Sequence, residues 1–293
     1  MKTTTRILSI ALVVGVVGSA FAQDPHVVYD KERGELSPGT QMPTRQQLLN
    51  SIRSGTPTAL MGMLEYGERL ECYECVPLLV ERILESNDPR VREFSAWWLR
   101  RRLFAVGRVL THMRNVLAND ADPVRRGRAA EALGELLVPG ALEPLADAVQ
   151  NDEAAVVRAS AVRALGRLNH PAGAGAIADA MADPEVEVRR AALGTVLRVN
   201  FFREQEALVD GLGDPDTAVR KQSARLVGEL EVVEAVPALV ALLEGDEDRD
   251  VRQAAAWALG RIGGGEAREA LLEAQQSETE SLVRDAVRVA LAM

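Results

Sequence analysis

Residues 152–168 read DEAAVVRASAVRALGRL, and this stretch decides the fold. Its apolar residues recur at the three- and four-residue spacing of one helix face, as in Val157, Ala161, Ala164 and Leu165. The small alanines on that face permit a neighbouring helix to approach closely. The pattern therefore predicts a helix that packs inside a helical assembly, and we name it helix B.

The same pattern returns along the chain with a nearly constant period. Seven Val-Arg dipeptides are separated by 33, 33, 31, 31, 32 and 32 residues. They begin at Val91, Val124, Val157, Val188, Val219, Val251 and Val283. A fixed period in this range is typical of a stacked array, because each unit is too small to bury its own apolar face and needs its neighbours.

A second pattern sets the register of the repeat more reliably. An acidic residue stands six positions before an arginine in most units, with Glu278 and Arg284 as a variant and Ser86 and Arg92 as the exception. The second unit therefore aligns one residue after its Val-Arg dipeptide. The regular pairs are Asp120 with Arg126, Asp152 with Arg158, Asp183 with Arg189, Asp214 with Arg220 and Asp246 with Arg252.

A shorter helix, helix A, is predicted before helix B in each unit. Pro77 and Pro237 begin two such stretches, and proline suits a first helical turn because its missing N–H would have no partner there. Asp-Pro dipeptides such as Asp88-Pro89 separate the two helices. Together these patterns predict an all-α solenoid of seven two-helix repeats over residues 72–293.

The residues before the array divide into three predicted segments. Residues 1–22 have a basic start, an apolar run and a small-residue pattern ending at Ala22, which is typical of a secretory signal peptide cleaved before Gln23. Residues 23–43 contain several prolines and glycines and predict a flexible leader. Residues 44–71 predict a helix pair that caps the array. We therefore expect a periplasmic or secreted protein with no membrane span after cleavage.

Charge limits the class of partner. The chain carries 34 basic and 43 acidic residues, a net charge of −9. The predicted signal peptide contains two basic residues and no acidic one, so its removal leaves 32 against 43, a net charge of −11. Because nucleic-acid binding depends on neutralising phosphates with lysine and arginine, this excess of acid argues against a nucleic-acid partner.

One face of helix B carries basic and aromatic side chains. Positions two, six and ten after the valine share this face, which lines the concave side in the usual solenoid arrangement. Arginine and tryptophan are common at binding hot spots, so the face predicts binding of another protein or an acidic ligand. A solvated charged face that binds nothing explains the same pattern equally well. The candidate binding residues are Trp97, Arg101, Arg163, Arg167, Arg190, Arg198, Lys221, Arg225, Trp257 and Arg261.

Cys72 and Cys75 form the one chemically distinctive motif. In an oxidising compartment the leading interpretation is a structural disulfide that joins the cap to the first repeat. A redox-active pair is the alternative, because a helix N-terminus lowers the pKa of a thiol, although no thioredoxin-like strand pattern accompanies the motif. Haem attachment would need histidine where Val76 stands, and a zinc site would need two more ligands. We therefore expect no metal and no cofactor.

The register pattern resembles that of the short HEAT-like repeat family first associated with bilin lyases, over about residues 72–293. In that family, loop aspartates and helix-B arginines link successive units, so the resemblance implies that these residues are structural. The wider family includes bilin-attachment subunits, an iron-dependent hydroxylase and many binding scaffolds, so the resemblance implies little about function. The three histidines, His26, His112 and His170, do not form the His-Glu pairs of the hydroxylase. We therefore expect a non-enzymatic exported binding scaffold, with a thiol redox or assembly factor as the alternative.

Overall fold

A computed structural model describes residues 43–200 and 202–293, together with the backbone of two short strands. The strands, β1 (Tyr29–Asp30) and β2 (Glu35–Leu36), pair antiparallel within a first unit of 42 residues. The predicted signal peptide lies outside the described residues, as does the predicted leader apart from these strands and its last residue. Both remain predictions.

The described residues from 43 onward form sixteen α-helices, which make one N-terminal pair and seven repeats. The N-terminal pair consists of α1 (Arg45–Ser54) and α2 (Pro57–Tyr66). The A helices are α3 (Cys75–Glu85), α5 (Leu103–Asn119), α7 (Leu142–Asn151), α9 (Ala174–Asp179), α11 (Gln205–Asp210), α13 (Val236–Gly245) and α15 (Gly265–Ser277). The B helices are α4 (Pro89–Arg100), α6 (Pro123–Leu136), α8 (Ala155–Leu168), α10 (Val186–Leu193), α12 (Thr217–Glu229), α14 (Arg249–Ile262) and α16 (Ser281–Ala290). The predicted all-α solenoid is confirmed.

Side chains of the first repeat hold the N-terminal pair against the array. Arg82 donates through Nε to the carbonyl oxygen of Ile52 at 2.7 Å, at the end of α1. After α2, the carbonyl oxygen of Gly67 accepts hydrogen bonds from Trp98 Nε1 at 3.3 Å and from the Arg102 guanidinium at 3.2 Å. These bonds satisfy carbonyl groups that a helix end leaves without an intrahelical partner.

The B helices form the inner row of the solenoid, because they contact one another more extensively than the A helices do. The recurring glycine of helix B explains how closely they approach. A Cβ atom added to Gly134 would lie 2.8 Å from the Cα atom of Ala164 on the next B helix. Gly228 and Gly260 occupy the same position and would meet an alanine Cα at 2.8 and 2.7 Å.

Helix B of the fourth repeat ends early. Its residue at the glycine position is Leu197, which would collide with the neighbouring helix if α10 continued regularly. Instead α10 ends at Leu193, a short 3₁₀ turn (Val196–Arg198) follows, and the Leu197 side chain is 61% exposed. This interruption places a large apolar side chain at the edge of the inner face.

Five ion pairs whose side chains are 4–15% exposed link successive repeats among the described residues. In each pair, an arginine of helix B donates through Nε and NH2 to the carboxylate in the loop of the next repeat, with Nε···O distances of 2.7–2.8 Å. Its NH1 donates to the backbone carbonyl six residues upstream, at 2.7–3.0 Å. The acid six residues upstream thus contributes its carbonyl, and the next repeat contributes the carboxylate. The pairs are Arg126–Asp152, Arg158–Asp183, Arg189–Asp214, Arg220–Asp246 and Arg252–Glu278.

The first repeat departs from this ladder of ion pairs. Arg92 donates to the carbonyl oxygen of Ser86 at 3.0 Å, in the usual way. Its guanidinium group, however, donates to the carboxylate of Glu131 on α6, with an NH2···Oε2 distance of 3.1 Å. The carboxylate of Asp120 accepts instead from Nε of Arg125, at 2.8 Å. The first and second repeats are therefore joined by a different contact, although Arg92 and Asp120 are both present.

Acid is expected to weaken the ladder. Burial raises the pKa of Asp183, but hydrogen bonds from Arg158 and from the backbone N–H of Glu185 outweigh it, so the pKa lies below the ordinary 3.8. The pKa values of Asp246 and Glu278 are lowered by the same balance of effects. Because a folded-state pKa below the unfolded value stabilises the ionised form, this part of the unfolding free energy is complete above about pH 5 and falls through lower pH. Urea denaturation midpoints measured over this range would show the decline.

The Asp246→Asn variant provides the control. It lacks one ladder carboxyl group, so its unfolding free energy should lie below that of the unmodified protein near neutral pH. The two values should converge as the pH falls below the lowered pKa of Asp246 in the folded protein, where neither side chain carries a charge. A difference that stays constant across this range would contradict the assignment.

Candidate functional site

An opening on the inner face lies between the B helices of repeats four to seven and encloses about 720 Å³. Its apolar wall consists of Leu197, Leu226, Trp257, Leu282 and Val289. Leu226 is buried and Trp257 is half-buried, whereas Leu282 and Val289 are 50% and 58% exposed. We call this opening the apolar groove.

The repeat register explains how these side chains meet. Position six of helix B places Arg225, Trp257 and Val289 side by side on α12, α14 and α16. The Trp257 ring packs over Gly228, where an added Cβ atom would lie 2.8 Å from ring atom Cζ3. Trp257 was identifiable from sequence, whereas Leu197 was not, because its exposure depends on the early end of α10.

Most of the predicted binding cations already have carboxylate partners on neighbouring units. The Arg190 guanidinium approaches Asp216 to 2.6 Å, and Lys221 Nζ approaches Asp250 to 2.7 Å. The hydrogen bond from Arg190 lowers the pKa of Asp216, and the one from Lys221 lowers the pKa of Asp250. The other pairs are Arg101 with Glu68, Arg167 with Glu135 and Arg261 with Glu231. The predicted basic face is therefore largely neutralised by acids of the same protein.

Three predicted cations, Arg163, Arg198 and Arg225, are exposed and make no ion pair within the described part of the chain. Arg163 donates only to Ser160 Oγ, at 3.1 Å. Arg225 lines the apolar groove, and its charge contributes to the lowered pKa of Asp250. Arg198 follows Leu197 of the groove wall in the chain. These three guanidinium groups are the ones available to an incoming anion.

Trp97 belongs to a different part of the inner face, on the first repeat. Its half-buried ring lies 5.9 Å from that of Phe94, between centroids, and the Arg101 guanidinium lies 4.6 Å from the Trp97 ring centroid. The adjacent Trp98 is fully buried. The structure therefore separates Trp97 and Arg101 from the apolar groove, five repeats away from Trp257.

Cys72 and Cys75 form a disulfide, with an S–S distance of 2.07 Å. Both side chains are completely buried, and α3 begins at Cys75. Tyr73, between them, packs against Phe104 with 4.2 Å between ring centroids. A redox-active pair must be reached by an attacking thiolate, so this burial supports the structural interpretation over the redox alternative.

Loss of this disulfide is expected to destabilise the fold moderately. In the chain-entropy model, closing so short a loop contributes about 2 kcal/mol, so the Cys72→Ser/Cys75→Ser variant should lose about that much unfolding free energy. The measurement is chemical denaturation of the oxidised protein and the variant. Dithiothreitol should leave the bridge intact in the folded protein and reduce it in urea. Rapid reduction of the folded protein would contradict the structural role.

Within residues 43–200 and 202–293, no group of three or more histidine, cysteine, aspartate or glutamate side chains is placed to hold a metal ion. The described helices include none that is both long and apolar enough to cross a membrane.

Comparison with known proteins identifies the repeats. The family model for HEAT repeats matches residues 110–198 and 206–292. No curated protein sequence matches that of this chain. Among solved structures, a chain of the Kap95p–RanGDP complex is similar, with a TM-score of 0.59 at 17% identity over 84% of this chain and 38% of that one. This chain thus spans well under half of that neighbour.

Two further solved structures are similar to this chain. YibA of Escherichia coli is similar with a TM-score of 0.55 at 15% identity, over 85% of this chain and 93% of that chain. The complex of CpcE and CpcF, the phycocyanin lyase of Nostoc sp. PCC7120, gives a TM-score of 0.40 at 22% identity, over 76% of this chain and 96% of that chain. Identities this low show the fold alone. Because the family model covers more than half of the sequence, the chain belongs to the HEAT-repeat family.

Proposed function

We propose that this protein is an exported, non-enzymatic scaffold that holds a segment of a partner protein in the apolar groove. The observation that carries the proposal is the exposure of Leu197, Leu282 and Val289 around the half-buried Trp257. Large apolar side chains that are exposed singly are ordinary, whereas a cluster of them around one opening favours an interaction site. Kap95p, a protein of similar fold, binds RanGDP.

The charged groups of the groove support binding over catalysis. Asp250 is hydrogen-bonded to Lys221, which lowers the pKa of the carboxyl group and keeps it ionised. Asp285 is paired with Arg288 on the same helix. A general acid needs a carboxyl group whose pKa is raised toward the working pH, whereas the pKa of Asp250 is lowered.

Site-specific cross-linking tests the proposal. A photo-reactive amino acid at Gln253, an exposed residue of the groove, should link one defined protein in an extracytoplasmic extract. The same group at Glu206, exposed on helix α11, serves as the matched control and should not link that protein. Val289→Ser should abolish the cross-link while leaving the melting temperature nearly unchanged, because the Val289 side chain is 58% exposed. Equal cross-linking at both positions would overturn the proposal.

Export is tested separately. Protein recovered from an extracytoplasmic fraction should begin at Gln23, as determined by N-terminal sequencing or intact mass. Full-length protein that begins at Met1 and remains in the cytoplasm would contradict the exported part of the proposal. It would leave the binding part standing.

A further inference from the structure

We infer that the occupant of the apolar groove is an acidic polypeptide segment, whose apolar anchor lies against Trp257 and whose Asp and Glu side chains lie on one side of that anchor. The acidic side chains reach Arg225, Arg198 and Arg163. This inference rests on the proposed function and adds the chemistry and the direction of the bound segment.

The unpaired charges on this face of helix B are mostly positive. Repeats three to six carry seven cations at positions two, six and ten of helix B, and four of them are held by carboxylates of this chain. The three that remain, Arg163, Arg198 and Arg225, belong to three successive repeats. An exposed guanidinium keeps its charge and its planar fork, which suits a carboxylate better than any other common protein group.

The acids near the groove carry less unpaired charge than these arginines. Three carboxylates line it, those of Glu229, Asp250 and Asp285. Asp250 is held by Lys221 and Asp285 by Arg288, so Glu229 is the one groove carboxylate that makes no ion pair among the described residues. Glu229 is also the one acid at positions two, six and ten of helix B in repeats three to six, the positions that hold the three unpaired arginines. Over this common set, three unpaired positive charges against one unpaired negative charge favour an acidic occupant over a basic one.

The positions of the apolar wall and of the unpaired arginines set the direction and the length of the bound segment. Three of the five wall residues, Trp257, Leu282 and Val289, belong to repeats six and seven, whereas the unpaired arginines belong to repeats three to five. From Trp257 to Arg163 there are three helix-to-helix steps of about 10 Å each, or about 30 Å. An extended chain covers this length with about nine residues. The segment therefore carries its anchor at one end and acidic residues over the next nine or so positions.

Selection from a displayed library of random peptides, about twelve residues long to cover that span, tests the inference. The full chain should select peptides with a tryptophan, phenylalanine or leucine anchor and an excess of Asp and Glu on one side. The triple variant Arg163→Glu, Arg198→Glu and Arg225→Glu should select the same anchor with Lys and Arg instead. A fluorescent peptide selected by the unmodified protein should bind this variant at least about tenfold more weakly.

The matched control carries the same change of charge on the A helices. Arg108→Glu, Arg114→Glu and Arg268→Glu replace three exposed arginines of α5 and α15, and this variant should bind the fluorescent peptide as the unmodified protein does. Equal weakening by both triple variants would show a general charge effect and overturn the inference.

The two proposals fail in different ways. Peptides whose binding requires Trp257 but that show no acidic bias would overturn the acidic occupant and leave the groove as a binding site. The absence of any selected peptide that requires Trp257 would overturn the proposed function, and the inference with it. If the variant with Arg163→Glu, Arg198→Glu and Arg225→Glu still selected acidic peptides, other cations would bind the acidic side chains. That result would overturn the assignment to these three arginines.

Discussion

Replacement of Arg189 by methionine is expected to lower the unfolding free energy by about 3–5 kcal/mol, the usual cost of breaking a buried ion pair by removing one partner. The Asp214 carboxylate, 8% exposed, would lose both hydrogen bonds of its bidentate partner. The carbonyl oxygens of Asp183 and Pro184 would lose the NH1 donor at the same time. Chemical denaturation of the folded protein measures the loss.

The adjacent residue provides the control. Arg190 also forms a bidentate pair with an aspartate, Asp216, but its side chain is 51% exposed. Exposed pairs contribute little because water solvates both charges, so Arg190→Met should cause no resolvable loss of stability. Similar losses for the two variants would show that burial does not distinguish the ladder from surface ion pairs.

Replacement of Gly134 by leucine is expected to cost about 3 kcal/mol, at the upper end of the range for overpacking. A Cβ atom at this position already lies 2.8 Å from the Cα and Cβ atoms of Ala164. The remaining three carbons of leucine have no space unless α6 and α8 separate. Since each B helix rests on the next, that separation would open the inner row. Thermal and chemical denaturation would both show the loss.

Replacement of Gly107 by leucine should change the unfolding free energy in the opposite direction. Gly107 lies within α5, is exposed, and has no heavy atom within 4 Å of an added Cβ atom. Leucine is a better helix former than glycine, so Gly107→Leu should raise the unfolding free energy by up to about 1 kcal/mol. A loss of stability at both glycines would mean that close helix contact is not the reason for Gly134.

The fold was predictable because the sequence pattern that specifies it lies within each unit and is repeated along the chain. Each unit carries its own helix-B pattern, and seven copies with spacings of 31–33 residues leave one architecture that buries all of them. The interruption of α10 was not predictable in the same way. Leu197 occupies the position that holds glycine in four other units. Whether leucine there ends the helix depends on the distance to the next B helix.

The ladder of ion pairs shows what the spacing of residues in the sequence can predict and what it cannot. The constant six-residue separation identified the acids and arginines that form the ladder, such as Asp183 and Arg189. In the structure Arg189 contacts the carbonyl oxygen of Asp183 and the carboxylate of Asp214, which belongs to the following repeat. A spacing within one unit identifies which residues matter, whereas their carboxylate partners depend on how units stack.

The amino-acid sequence alone established the solenoid, its period, its register and the face of helix B on which binding residues were expected. Tertiary structure decided which of those residues are available. Arg190 and Arg198 are indistinguishable by residue type and face, yet Asp216 neutralises the first and no described carboxylate reaches the second. Ion pairing and groove formation depend on distances between side chains of different repeats, and those distances exist only once the helices have packed.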